Sequence, residues 1–319
     1  MGVEKQGCRW EDRVRDIPDG GVRIDRYVSE VAGLFARSQL RQRNPRFFIN
    51  GKVVKASSRV YTGDRIALMY EDQPEPSFGA QAIDLSIIYE DEHVIVVDKP
   101  QGLVVHPAAG NWSGTLVQGL LYHCRELGER FGEDTVRPGI VHRLDKDTSG
   151  VLIAAKDPET RQFLAEQFAN RRCKKRYIAL VKGDLSNATG RMESGIIRDP
   201  KNRKRFTWTM SGGKPAVTEY TRLRRGNDCS LAAFNLLTGR THQIRVHTLM
   251  LGHPVIGDPI YGRKNTRFPD LGLMLHSMSL EILLPGEREP RRFIAPLPER
   301  FRAPLQQCWG LDYRAVDPD

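Results

Sequence analysis

The stretch Gly139-Ile-Val-His-Arg-Leu-Asp-Lys-Asp-Thr-Ser-Gly150 decides how this chain of 319 residues is read. A strand-like apolar run, Val151-Leu-Ile-Ala-Ala155, follows it directly. Asp147, Thr148, Ser149 and Gly150 are turn formers, through side-chain hydrogen bonds or tolerance of positive φ. The pattern therefore predicts a loop tip at Asp145, between one strand and the next. Carboxylates held on loops by a rigid sheet are common catalytic groups. The plain alternative is an Asx-turn residue with no chemistry. A calcium loop also comes to mind, because Asp145, Asp147, Ser149 and Gly150 fit its first half. That reading fails at Lys156, where a bidentate Glu is required, and on its strand-like flanks.

Composition narrows the class of partner. The net charge is +10 and the pI about 9.5, so an acidic partner is expected, either nucleic acid or an anionic surface. Hydrophobic residues make up 39%, enough for a real core. Apolar runs such as Val94-Ile-Val-Val97 are far too short to span a membrane. Glu4, Glu11 and Asp12 with no apolar stretch argue against a signal peptide. The five cysteines (8, 124, 173, 229 and 308) form no C-x-x-C pair, which suggests reduced thiols in the cytoplasm.

Outward from the centre, the chain predicts two domains. Residues 1–20 read as a loose terminus. Ile24, Val28 and Val31 recur at helical spacing, and Leu34 and Phe35 extend that face. Ser38 can cap a second helix from Gln39 that Pro45 limits. Phe47-Phe-Ile49 and Lys52-Val-Val54 flank Asn50-Gly51, a strong hairpin signal. A last strand fits Arg65–Tyr70. Between Gly21 and Arg65 there are ten Lys/Arg against three Asp/Glu, with Arg37, Arg41, Arg43 and Arg46 around the second helix. Such an excess suits a phosphate-binding surface. Pro74, Pro76 and Gly79 mark a linker over residues 73–82, and the larger domain spans 83–319.

In that domain, Ile87–Tyr89 and Val94–Val97 predict a hairpin broken by Lys99-Pro100. Thr115 to Tyr122 and the segment capped by Asp157-Pro158 predict helices, the second with Phe163, Leu164 and Phe168 as its buried stripe. Tyr177–Val181, Lys214–Tyr220 and Leu231–Leu237 predict strands. From Arg171 to Arg225 there are sixteen Lys/Arg against four Asp/Glu. Within it, Arg203-Lys-Arg-Phe-Thr-Trp208, with Lys204 and Arg205, mixes cations and aromatics as single-strand binders do. Thr238-Gly-Arg-Thr-His-Gln-Ile-Arg-Val-His247 predicts a helix capped by Thr241 and stopped by Gly252. His242 and His247 at i, i+5 fall on different faces with no Cys or carboxylate, so no metal site is expected.

His142-Arg-Leu-Asp-Lys-Asp-Thr-Ser-Gly150 resembles the active-site signature of the RluA family of RNA pseudouridine synthases. The Gly239–His247 string, Gly252–Pro259 and Met274–Ser277 extend the resemblance, and residues 21–72 resemble the ribosomal protein S4-like RNA-binding module. The resemblance implies an α+β protein: a mixed, mostly antiparallel sheet domain behind a small α/β RNA-binding module. It implies that Asp145 is the nucleophilic carboxylate, that Tyr177 stacks on the uracil, and that Arg245 orients Asp145 bidentately. Arg143 would support the opened strand. His106, His142, Arg240 and His242 join Arg37, Arg41, Arg43, Lys204 and Arg205 as candidate RNA contacts. Pseudouridine formation is a rearrangement, so no cofactor and no metal are expected. The expected partner is RNA, ribosomal before transfer RNA, for a cytoplasmic monomer. Two rivals are an RNA-binding protein without catalysis and a glycosidase, which usually needs a second carboxylate.

Overall fold

The structure is a computed structural model that describes residues 7–35, 40, 43–71, 79–108, 111–132, 137–226, 228–262, 268 and 271–316. It divides into two compact units, Met1–Ser77 and Phe78–Asp319, each with its own apolar core.

The first unit contains β1 (Gly7–Arg13), β2 (Val22–Arg23) and a short helix α1 (Ile24–Arg26) that continues as a wide turn over Tyr27–Val31. Next come β3 (Arg46–Ile49), β4 (Lys52–Val54), β5 (Arg59–Val60) and β6 (Arg65–Glu71). Four strands form an antiparallel sheet in the order β1-β6-β3-β4. Asn50 (φ 51°) and Gly51 (φ 80°) both take the left-handed region that a two-residue hairpin of this twist requires.

Two expectations change here. The terminus expected to be loose is instead ordered from Gly7, where β1 pairs with β6 from Gly7↔Glu71 to Arg13↔Arg65. Its pairing partner lies some fifty residues away, and Val14 is buried at its end. The helical stripe also breaks: Ile24 and Val28 are buried, but Val31 is exposed. The turn closes from Ala32 N–H to the Tyr27 carbonyl, an i→i+5 bond that carries Val31 off the buried face. Arg37, Ser38, Gln39 and Arg41 lie outside the described residues. Arg43 stacks its guanidinium over Phe35 at 4.4 Å.

The second unit carries β7 (Ser86–Glu90), β8 (Val94–Lys99), helices α2 (Leu116–His123) and α3 (Leu127–Phe131), β9 (Ser149–Ala155) and α4 (Pro158–Ala169). It continues with β10 (Lys174–Lys182), β11 (Thr189–Arg198), β12 (Phe206–Thr209), β13 (Lys214–Arg224) and β14 (Cys229–Leu236). The helix α5 (Gln243–Met250), β15 (Leu275–Ile282), β16 (Arg291–Ile294) and α6 (Arg302–Trp309) complete it. Its large sheet runs β12-β11-β13-β14-β10-β15-β9-β8-β7, with β16 also on β15. Every pairing is antiparallel except β15 with β9.

That parallel contact depends on Gly150. It sits at φ 112°, and a Cβ there would lie 2.2 Å from the Ser277 carbonyl oxygen. No side chain fits, so Gly150 lets β9 run close beside β15. All seven residues of β9 are buried, which makes it the rigid post behind the Asp145 loop. The Asp157 cap with Pro158 forms as expected, its carboxylate accepting from Thr160 N–H at 2.7 Å. The stripe of α4 differs: Thr160, Leu164 and Gln167 are buried, while Phe163 is exposed. Gln167 turns inward because its amide bonds the backbone of Leu283. Distant cysteines also meet, with Cys229 and Cys308 sulfurs 3.3 Å apart.

A buried polar chain ties β9 to β15. Arg300 Nη2 donates to Ser149 Oγ at 2.6 Å, Ser149 Oγ lies 2.8 Å from His276 Nδ1, and His276 Nε2 lies 3.0 Å from the Ala295 carbonyl. Burial pushes the His276 imidazole down to about 4, and the nearby Arg300 charge adds to it. The unfolded chain takes up that proton near pH 6.5, the folded chain only near 4. Stability is therefore present above pH 6.5 and lost as pH falls towards 4, by about 3 kcal/mol for this group alone. Urea unfolding at pH 7 and pH 4.5 checks this: His276→Gln should lose clearly less stability between them than wild type.

Candidate active site

Four residues, Lys99, Gln101, Gly102 and Thr148, hold the loop that carries Asp145. The Lys99 ammonium donates to the carbonyls of Pro100 (2.9 Å), Leu103 (2.8 Å) and Lys146 (3.1 Å). Gln101 Nε2 donates to the Asp147 carbonyl, and Gly102 N–H to the Lys146 carbonyl. Thr148 N–H closes the turn onto the Asp145 carbonyl at 3.1 Å. Lys99 is fully buried, and burial pulls it down to about 7 while Asp145 and Asp147 act the other way. Sequence reading saw only a strand break at Lys99-Pro100; a lone lysine ending an apolar run was the available signal.

Opposite the loop stands the segment before α5. Gln243 organises it: Oε1 accepts from Thr238 Oγ1 (2.7 Å) and Arg240 N–H (3.0 Å), and Nε2 donates to the Val217 carbonyl and Thr218 Oγ1. His242, not Thr241, caps the helix, and it does so in the left-handed region at φ 59°. The helix has no side-chain cap, and the Gln243 bonds instead tie the segment ahead of α5 to β13.

Arg245 extends from the first turn of α5 and joins two carboxylates. Its Nε and Nη2 bond Asp258 bidentately, both at 2.8 Å, and its Nη1 reaches Asp145 Oδ2 at 3.2 Å. The expected bidentate grip on Asp145 is thus wrong in detail. The planar fork is spent on Asp258, whose side chain is fully buried and needs the paired charge more. Asp145 keeps 17% of its side chain exposed and receives one N–H from Nη1. Burial works against the charge on Arg245, but the bonds and charges of Asp258 and Asp145 more than offset it and raise its pKa. Asp258 also accepts from Ile260 and Tyr261 N–H, so it is rigid. Its turn begins at Gly257 (φ 72°), where a Cβ would lie 1.7 Å from the Gly272 carbonyl oxygen.

Asp145, Arg143, Tyr177, Arg240, His242 and Arg245 line one cavity of about 990 Å³. Tyr177 is 7% exposed, and the β10–β15 register shifts between Arg176 and Tyr177. Such a bulge re-aims a side chain beside a site. Burial raises its hydroxyl pKa, against a hydrogen bond from Ser277, so the ring stays neutral.

Comparison with known proteins identifies the family. The family model for RNA pseudouridylate synthase matches residues 93–249. The ribosomal large subunit pseudouridine synthase D of Borreliella burgdorferi is 44% identical over 302 residues, covering 93% of this chain and 92% of that protein. This chain belongs to the RluA-type RNA pseudouridine synthases. An uncharacterized RNA pseudouridine synthase of Bacillus subtilis, YlyB, is 41% identical, covering 87% of this chain and 91% of its own length. Among solved structures, human RNA pseudouridylate synthase domain containing 1 aligns with a TM-score of 0.57 at 28% identity, over 72% of this chain and 89% of that one. The protein is therefore an isomerase acting on RNA.

In this RluA-type synthase the candidate RNA contacts separate into three groups. Arg143 is exposed at the cavity, and Arg240 and His242 line it. Lys204 and Arg205 lie outside the cavity lining; Lys204 is exposed, and Arg205 lies 5.3 Å over the Tyr261 ring. Of the two other histidines, His142 also lines the cavity and is half-buried, while His106 is buried outside its lining. His142 Nε2 accepts from Ile153 N–H at 3.0 Å and its ring stacks on Phe168 at 4.5 Å, so it braces the loop. Burial and Lys175 push it down to about 3. His106 is 6% exposed, and burial with Arg137 and Arg143 pushes it down to about 4. Both are neutral because a charged imidazole would lose its hydration there.

Among the described residues one trio, Glu90, His123 and Cys124, brings possible metal ligands together. The Lys156 ammonium already sits 2.9 Å from Glu90, and burial lifts the Cys124 thiol to about 11. A cation there would have to displace a resident positive charge and a thiol proton.

Proposed function

We propose that this synthase isomerises uridine in large-subunit ribosomal RNA, with Asp145 as the essential carboxylate. The observation that carries the reading is the Arg245 N–H that holds Asp145 at the cavity, where 17% of its side chain is reachable. Breaking the N1–C1′ bond, turning the uracil and closing a C5–C1′ bond requires a fixed carboxylate at the sugar. It either attacks C1′ or takes the 2′ proton, and both need this placement. The target must leave its stack first, and Arg143 at the cavity mouth is suited to the opened strand. Relatives named for the ribosomal large subunit support that RNA over transfer RNA. Reduced thiols and the absence of a long apolar helix among the described residues fit a cytoplasmic enzyme, which we take to act as a monomer. Mapping pseudouridine in RNA from cells lacking the protein tests the target: a lost modification in transfer RNA alone would refute it.

The basic N-terminal unit is proposed to supply affinity, in the manner of a ribosomal protein S4-like module. If four to six of the ten cations between Gly21 and Arg65 touch phosphate, removing residues 1–80 lowers the salt slope of log K by about three to five. Turnover at saturating RNA should change much less, because Asp145 and Arg245 lie in the other unit. Binding and single-turnover assays across a salt series check both halves.

A further inference from the structure

The residue that the mechanism leaves unused is His242. Its backbone is held in the left-handed region (φ 59°), which non-glycine residues seldom occupy and which clusters at functional sites. Its ring is fixed from one side by Tyr261. The Tyr261 hydroxyl lies 2.8 Å from His242 Nδ1 and accepts the Phe206 N–H at 2.8 Å. A phenol has one proton to give. With Phe206 donating to it, that proton has Nδ1 as its one acceptor among the described residues. The ring proton of a neutral His242 is then on Nε2.

Nε2 points to the cavity, 3.8 Å from Asp145 Oδ2. That is too far for a hydrogen bond. Among the described residues Nε2 has no other partner, so a donor stands ready beside the carboxylate. Three of the five Arg245 N–H groups are already committed, two to Asp258 and one to Asp145.

We propose that His242 is a further catalytic residue of this synthase: its Nε2–H donates to a carbonyl oxygen of the uracil as the base detaches, and Tyr261 is the positioning residue that sets its tautomer. The proposal rests on Asp145 being the carboxylate at the sugar. When the N1–C1′ bond breaks, its electron pair stays on uracil and spreads onto the carbonyl oxygens. C1′ is compensated by the carboxylate oxygen, or by the C2′–H pair once Asp145 takes that proton. The uracil then turns, its C5 supplies the pair for the new bond to C1′, and Asp145 leaves or returns the 2′ proton. The C5 proton departs and N1 gains one, so composition is unchanged. A neutral imidazole suits the middle of this sequence. It stabilises the anionic oxygen without surrendering its proton, so the base stays an anion that is free to turn. Burial lowers the His242 pKa, with Asp145 opposing and Arg245 reinforcing, in agreement with the neutral form.

The test compares RNA carrying uridine with RNA carrying 5-fluorouridine at the target, by the single-turnover rate at which the N-linked nucleoside is lost. Chromatography and mass spectrometry of digested RNA read that loss, because fluorine at C5 leaves no proton to depart and stops the second substrate short of pseudouridine. Fluorouracil is the more acidic base and needs less help to leave. His242→Ala should slow the uridine reaction about 100-fold, the scale of one lost oxyanion donor, with RNA affinity within about twofold. The same variant should be slowed less than tenfold on 5-fluorouridine. His242→Gln, which keeps an N–H, should recover part of the rate, and Tyr261→Phe should show a smaller defect with the same dependence on the leaving base. Equal defects on both substrates, or a defect that lies in affinity, would overturn the proposal. Asp145→Asn is measured alongside. If it turns over, the reading of Asp145 fails; if it is inactive while the His242 defects are equal, only the role of His242 fails.

Discussion

Asp145→Asn should abolish pseudouridine formation, by at least about 10⁴-fold, while RNA binding stays within about twofold. The substitution keeps shape, and the amide oxygen can still accept the Arg245 N–H that now lies at 3.2 Å from Oδ2. The loop is held by Lys99, Gln101 and Gly102 through backbone carbonyls, none of which depends on the carboxylate. What goes is the negative oxygen, and with it both attack at C1′ and removal of the 2′ proton. Nucleoside analysis of digested RNA reads the outcome. Turnover within tenfold of wild type would end the assignment of Asp145.

The second large effect concerns Arg245, and it separates stability from chemistry. Arg245→Met leaves Asp258 buried without its partner, which should cost about 3–5 kcal/mol and shift the urea midpoint accordingly. Removing both members, Arg245→Met with Asp258→Asn, should restore much of that stability, because no lone charge remains buried. It should not restore activity, because Asp145 still lacks its anchor. Arg245→Lys keeps the charge but cannot bond two carboxylates at once, so it should fold better than Arg245→Met and still lose about 100-fold in rate. Recovery of rate in the double variant would show that Arg245 serves only the fold.

The sequence by itself determined a good deal about this protein. The Asp145 turn, the Asn50-Gly51 hairpin, the Asp157-Pro158 helix start and the main strands are written in local residue chemistry: turn formers, caps and apolar periodicity over a few positions. The family was legible in two signature strings, and the resemblance put forward Asp145, Tyr177 and Arg245 as candidates. Partners distant along the chain were decided by tertiary structure. Asp258 takes the Arg245 fork because it is the buried one of two carboxylates, and burial is a property of the assembled fold. Lys99 holds the Asp145 loop through backbone carbonyls, which carry no residue identity, so the sequence marked it only as a lysine ending an apolar run. His106 is buried because neutral imidazole can be buried more cheaply than a cation, and His142 is held at the cavity by the Ile153 N–H and the Phe168 ring. Tyr261 and His242 meet across 19 residues only when the turn after Gly257 folds back over α5. β1 is a strand only because β6 is there to bond it. In each case a side chain's role follows from what surrounds it in space, and a sequence states that only when the partners are near neighbours.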